Sequence, residues 1–344
     1  MSVKGSEEIE STNTVAPESQ SAWRTWRHRI DPATVAAYVL AGVIFVGATI
    51  YNSGFASGGN IRQILIFSAL LGIAALGETL VILGGGMDLS VPSIITFAGI
   101  TIGKFTGPSH WSGVAGISLL VVIGAVIGLV NGIGVTKFRI PPIIMTLAVG
   151  GLVTSYVEAT GSLQSTASGV PGVVKTLAQG KIGPVPLVVI LWIVLAILTG
   201  IVLRHTPFGR FLFAVGSNPI ASNFAGIQVA RTRITTYVIS GCASVVAGIL
   251  LAGYLGTSYL SMGTPYLFGS IAAVALGGAV ISGGRGSYWG TVAGALTLTL
   301  LTGVLPLLHL NTDDLDIVYG LVILGGVVLA REIGQRRYKG KVES

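Results

Sequence analysis

Charge is scarce in this sequence. Only 10% of its 344 residues are Asp, Glu, Lys or Arg, whereas soluble domains carry about 25%. Together with 51% hydrophobic residues and a mean hydropathy of +0.82, that shortage excludes an ordinary soluble globule and indicates a polytopic membrane protein. Thiols are scarcer still: the one cysteine, Cys242, lies in an apolar run, which excludes a disulfide framework and a thiolate metal site and leaves it a small packing residue. The four histidines, His28, His110, His205 and His309, stand apart from one another. No H-E-x-x-H, Cys/His ligand spacing or G-x-x-x-x-G-K-[ST] phosphate loop occurs, and the Gly283–Ser287 run GGRGS lacks the lysine of such a loop. No catalytic and no metal-ligating residue is therefore assigned, and the chain is expected to catalyse nothing by itself. A net charge of +7 would suit nucleic acid, but the basic residues sit singly at the ends of apolar runs rather than on one face, which argues against that partner.

Glycine, by contrast, is abundant, with 50 residues. It recurs at four-residue spacing in Gly124, Gly128 and Gly132, in Gly99, Gly103 and Gly107, and in Gly290 and Gly294. In lipid that spacing lets helix backbones approach closely. Asn131, on the glycine-rich face of its run, is expected either to hydrogen-bond a neighbouring helix or to line a pathway.

The apolar runs predict an all-α polytopic membrane protein of about ten transmembrane helices, at 34–51, 62–83, 91–106, 114–134, 141–158, 185–203, 234–254, 265–281, 288–305 and 317–330. Several are shorter than the ~20 residues of a straight span, so tilt or re-entry is expected there. With both termini cytoplasmic, all of the 20 Lys and Arg except Arg62, Lys104, Lys175 and Lys181 fall on the cytoplasmic side, as the positive-inside rule requires. Residues 1–22 are polar and expected to be disordered. Trp23, Arg24, Trp26, Arg27 and Arg29 form an interfacial collar. The membrane unit is then 23–331, with a cytoplasmic loop at 204–233 and a cytoplasmic tail at 332–344. The external segment 159–184, rich in Gly, Ser and Thr, reads as a spacer or a contact surface.

Three local patterns stand out. In the loop 204–233, Asn218 is a good N-cap, Pro219 suits the first helical position and Gly226 is a natural stop. That predicts a short helix on which Ile220, Phe224 and Ile227 make one apolar stripe, with Ser222, Asn223 and Gln228 pointing elsewhere. The stripe either packs back on the protein or lies in the lipid interface, or it docks a partner. The second pattern, Gly84-Gly85-Gly86-Met87-Asp88-Leu89-Ser90-Val91-Pro92, ends one helix with glycines and offers Asp88 and Ser90 as caps for the next. A structural turn explains it; a gate hinge or a second partner contact is the alternative. Third, Glu78 stands inside a span, where facing lipid would be costly by ~2.5–3.5 kcal/mol, so it is expected to face the bundle interior.

The runs Thr206–Arg233 (TPFGRFLFAVGSNPIASNFAGIQVARTR), Ser270–Ser287 (SIAAVALGGAVISGGRGS), Leu80–Val91 (LVILGGGMDLSV) and Asn131–Gly150 (NGIGVTKFRIPPIIMTLAVG) together resemble the ribose-type sugar permeases of bacterial ABC importers. The resemblance extends over roughly 59–331. Met87 and Pro92 depart from it, where the family often has Ile and Gly. It implies the inner-membrane permease subunit of an importer for a monosaccharide such as ribose or a related pentose or hexose. Partners so implied are a second permease copy or paralogue, a cytoplasmic ATP-binding subunit that carries the ATP and magnesium, and a periplasmic sugar-binding protein. The loop at 204–233 would then couple to the ATPase through Arg210, Asn218, Pro219, Ile220, Phe224, Gly226 and Ile227. Glu78, Asp88 and Asn131 are the candidate gate or pathway residues. An ABC permease for a nucleoside, polyol or autoinducer stands as an alternative, as does an ion-coupled secondary transporter, for which one central carboxylate is thin support.

Overall fold

The computed structural model describes residues 32–105, 110–160, 169–308, 317, 319–321 and 323–325. The expected tails at 1–22 and 332–344 and the collar at 23–29 lie outside them. In chain order the helices are α1 (Pro32–Tyr51), α2 (Gly58–Leu83), α3 (Val91–Ile102), α4 (His110–Thr136), α5 (Pro142–Ala159), α6 (Gly172–Gln179), α7 (Leu187–His205), α8 (Pro207–Ser217), α9 (Pro219–Phe224), α10 (Val229–Leu255), α11 (Tyr266–Leu276) and α12 (Tyr288–Val304). Seven, namely α1, α2, α4, α5, α7, α10 and α12, are long and apolar enough to cross a membrane. Nine of the ten expected runs coincide with helices. Most of the tenth, 317–330, falls outside the described residues, although 317, 319–321 and 323–325 are helical.

Two of the apolar helices are shorter than a straight span. Helix α3 has 12 residues and α11 has 11, or roughly 16–18 Å at 1.5 Å per residue, against a hydrocarbon core of about 30 Å. The expected span 265–281 stops at Leu276, and Gly278, Gly283 and Gly284 follow with positive φ. Both short helices are largely buried, the setting in which the non-helical backbone that continues them is tolerated at membrane depth.

Burial sorts the long helices into a centre and a rim. In α2, 89% of the most apolar stretch is buried, against 22% in α1 and in α5. The rim helices present Val43, Val46, Leu119, Val122, Val126, Leu152 and Leu198 outward, as segments that are apolar all round do in an apolar medium. At the centre, α2 packs on α11 and α12, and α10 packs on α3 and α4. Each central helix is thus embraced by elements from the other half of the chain.

Glycines set the closest crossings. A Cβ at Gly128 would overlap the Tyr237 carbonyl and one at Gly241 the Gly124 carbonyl, so α4 and α10 lie backbone to backbone along the face predicted from Gly124, Gly128 and Gly132. Gly290 meets Gly277 and Gly294 meets Ala273 in the same way. Of the remaining series, Gly99 meets Met262 and the Gly248 carbonyl, Gly103 opens a short 3-10 turn, and Gly107 is outside the described residues.

The segment 159–184 is more than a spacer where it is described, from 169 on. Helix α6 buries Val174 and Ala178 against Gly253 of α10. Gln179 Nε2 donates to the carbonyls of Gly253 at 2.9 Å and Tyr254 at 3.1 Å, and Arg62 Nη2 donates to the Gln179 carbonyl at 3.2 Å. A two-residue hairpin, β1 (Lys181–Ile182) with β2 (Val185–Pro186), then leads into α7. Hydropathy alone missed this clamp because α6 is too short and too polar to register as a span.

Candidate functional site

The turn between α2 and α3 begins where Gly85 takes φ +76°, a conformation that glycine adopts without a Cβ clash. The Gly85 amide donates to the Ile82 carbonyl and the Gly86 amide to that of Val81, each at 2.9 Å, which closes α2. The expected capping of α3 is realised differently. Ser90 occupies the N-cap position, but neither its side chain nor that of Asp88 caps the first turn of α3. Asp88 instead accepts from the Ser90 amide at 3.1 Å and from Ser90 Oγ at 2.5 Å. The carboxylate thus folds back on its own loop, where four other elements converge on it.

Glu78, fully buried on α2, accepts the Asp88 amide at Oε1, 3.3 Å away. Ser240 Oγ of α10 donates to the other Asp88 oxygen at 2.7 Å. Asn131 Nδ2 of α4 donates to Ser90 Oγ at 2.9 Å, and the Leu89 amide donates to Thr146 Oγ1 of α5 at 3.0 Å. Glu78, Asp88 and Asn131, separate candidates in the sequence, are therefore one buried polar cluster. Two of its acceptors, Glu78 Oε2 and Asn131 Oδ1, are buried without a hydrogen-bond partner among the described residues. Gly77, beside Glu78, lets α10 come in so near that a Cβ would press on Ser240.

Above the cluster, the start of α10 reaches the same turn. Arg233 Nε donates to the Gly84 carbonyl at 3.0 Å, and the Tyr237 hydroxyl to the Met87 carbonyl at 3.4 Å. Sequence reasoning passed over Arg233, Tyr237, Ser240 and Thr146. Their signal was available for α10, where polar side chains at 233, 237 and 240 recur at helical spacing in an apolar run. The turn also meets two other glycine-bearing segments: Gly283 lies against Gly85, Gly216 against the Leu83 carbonyl, and the Gly284 amide donates to that carbonyl at 2.9 Å.

Helix α9 confirms its predicted caps. Asn218 Oδ1 accepts from the Ala221 amide at 2.9 Å and Pro219 opens the helix. At the other end Gly226, at φ +79°, donates to the Asn223 carbonyl and Ile227 to that of Ser222, each at 3.0 Å, the Schellman pattern. Ile220 is 70% and Phe224 87% exposed, but Ile227 is half-buried, so the exposed stripe has two residues rather than three. Ser222, expected to point away from the stripe, does so: it is only 5% exposed and faces the protein. The C-terminal turn rotates Ile227 off the stripe, and α8 and α10, between which α9 is strung, supply the surface behind it. Arg210 is exposed on α8. Among the described residues, no three His, Cys, Asp or Glu side chains lie close enough to hold a metal ion.

Residues 60–328 match the family model described as branched-chain amino acid transport system / permease component. The chain is 33% identical over 306 residues to the probable ABC transporter permease protein YphD of Escherichia coli, an alignment spanning 88% of this chain and 91% of that one. It is 33% identical over 300 residues to the ribose import permease protein RbsC of Bacillus subtilis (84% and 90%). To the fructose import permease protein FrcC of Rhizobium meliloti it is 30% identical over 306 residues (87% and 85%). No solved structure matches the chain.

Proposed function

Since the chain belongs to the family of branched-chain amino acid transport system permease components, and is thus a multi-pass protein of the bacterial inner membrane, we propose that it forms the translocation pathway of an ATP-driven sugar importer. In this reading a monosaccharide is handed over by a periplasmic binding protein and crosses between two permease subunits. A separate cytoplasmic subunit binds ATP and magnesium and hydrolyses the nucleotide. Relatives named for ribose and fructose import support the solute class.

The observation that carries the reading is Phe224, 87% exposed on a helix that is capped at both ends and backed by the buried Ser222. An aromatic side chain held rigidly into solvent, outside every membrane-crossing helix, is what a docking anchor requires. Arg210, Asn218, Pro219, Ile220, Gly226 and Ile227 shape and flank that anchor, and the loop 204–233 is the cytoplasmic coupling segment. Both termini are cytoplasmic in this arrangement, and the Glu78–Asp88–Asn131 cluster lies on the gate.

A second reading rests on the two buried carboxylates, Glu78 and Asp88, which bring more acidity to the centre than one residue would and are what an ion-coupled transporter needs. Proteoliposomes separate the two. An importer takes up radiolabelled ribose or fructose only with the ATPase, the binding protein and ATP present. Uptake by this chain alone, driven by a proton or sodium gradient, would establish the second reading instead.

A further inference from the structure

Helix α10 presents three donors at i, i+4 and i+7, the Arg233 guanidinium, the Tyr237 hydroxyl and the Ser240 hydroxyl, and all three close on the α2–α3 turn. They take, in order, the carbonyl of Gly84, the carbonyl of Met87 and the carboxylate of Asp88. One stripe of one helix therefore holds the turn along its length. Of the other segments that reach the turn, α4 and α5 touch its far end through Asn131 at Ser90 and Thr146 at Leu89, while those bearing Gly216, Gly283 and Gly284 meet its start and hold it by a single main-chain bond from Gly284 to Leu83. At the start of the turn the glycine surfaces offer no side chains to interlock, whereas α10 grips it there through Arg233 and Tyr237.

The N-terminus of α10 follows α9 after only four residues, 225–228, and Arg233 lies about one helical turn further on. Arg233 is half-buried, with its guanidinium turned to the Gly84 carbonyl and packed against Gly85. Arg233 is therefore the first of the three donors met along the chain from α9.

We infer that Arg233 is a positioning residue that makes the α2–α3 turn travel with α10, so that movement of the exposed α9 helix reaches the buried Glu78–Asp88–Asn131 cluster through the Arg233, Tyr237 and Ser240 contacts. This rests on the importer reading for the source of the movement. The contacts themselves do not depend on it, so the two are tested separately.

The first measurement needs no partner. In the full chain in native membranes, Cys242 is replaced by Ala and Met87 by Cys, and the rate of alkylation at position 87 by N-ethylmaleimide is followed. Arg233→Gln removes the guanidinium and is expected to speed alkylation about tenfold, the scale of one lost charge-assisted hydrogen bond. Arg233→Lys keeps a charged donor and should restore most of the protection. Ser240→Ala, which removes one hydroxyl with almost no change in volume, should move the rate in the same direction and stands in should Arg233→Gln fail to insert. Parent-like alkylation in Arg233→Gln, or in Ser240→Ala where it stands in, overturns the inference. The second measurement adds the ATPase and the sugar-loaded binding protein. Arg233→Gln should still copurify with the ATPase but lose most of the hydrolysis that the binding protein stimulates. If the ATPase no longer associates, Arg233 belongs to the docking surface and the positioning role is wrong. If the parent binds no ATPase while alkylation responds as expected, the importer reading fails and the grip of α10 on the turn stands.

Discussion

Glu78 and Asp88 are joined through the main chain rather than through their carboxyl groups: the Asp88 amide donates to Oε1 of Glu78 at 3.3 Å, while the Asp88 carboxylate is turned to Ser90 and Ser240. One acidic side chain thereby reports the position of the loop that carries the other. A shift of the turn by the length of a hydrogen bond would free Oε1 as well as Oε2, which has no partner among the described residues, and a buried carboxyl group without partners is strongly disfavoured. The cluster is therefore sensitive to where the turn sits.

Glu78→Gln keeps the side-chain shape and supplies a donor where Oε2 has none of its own. It is expected to insert and to unfold no more readily than the parent, because a buried amide is less costly to desolvate than a carboxylate. Uptake should fall at least about tenfold, roughly 1.4 kcal/mol in the barrier. Thermal unfolding in detergent and vesicle uptake test the two halves; parent-like uptake would make the carboxyl group purely structural.

Phe224→Asp should leave insertion intact, since Phe224 is exposed and the caps at Asn218 and Gly226 are unaltered. Loss of an aromatic anchor worth about 2 kcal/mol weakens ATPase association by roughly 30-fold. Ser222 is unsuitable as the control, because a charge there would be buried. Asn223→Asp, at an exposed position of the same helix, is the matched control and should change binding little. Pull-down of the ATPase by membranes of each variant decides it, and equal binding by both would remove α9 from the docking surface.

Gly128→Ala places a methyl group against the Tyr237 carbonyl, backbone that cannot move aside locally. The α4–α10 crossing should open, at about 1–3 kcal/mol of stability, seen as a lower melting temperature in detergent. Gly151→Ala, also helical but with nothing within 4 Å of the added carbon, should be neutral or gain up to about 1 kcal/mol from helix propensity. Equal behaviour of the two would mean that the crossing is looser than described.

Reporter fusions fix the orientation. Those after Arg210 and at the C-terminus should read cytoplasmic, and those after Gly180 and Asn311 periplasmic, as the distribution of Lys and Arg demands. A cytoplasmic reading at Gly180 would invert the proposed arrangement of α6 and α9.

The sequence by itself determined whatever depends on neighbouring residues. Whether a run such as 58–83 prefers lipid to water is a sum over its own side chains, so the crossing helices were legible from hydropathy. The caps of α9 follow from Asn218, Pro219 and Gly226 within one short segment, and the close-packing face of α4 follows from three glycines four residues apart. Tertiary structure decided everything that depends on what lies opposite. Glu78, Asp88, Asn131, Thr146 and Ser240 are far apart in the chain, and no local pattern says that five elements bring them to one point. That Ser222, rather than the stripe of Ile220 and Phe224, is the buried side of α9 was not legible, because a short helix shows its apolar face in its sequence but not which face its neighbours cover. The crossing length of α3 and α11 was likewise undecided, since apolar residues look alike whether lipid or protein surrounds them. In a medium as apolar as the core, hydrophobicity places helices in the membrane but cannot tell them which neighbour to choose. That choice falls to glycine contacts and buried hydrogen bonds, which exist only between residues already brought together.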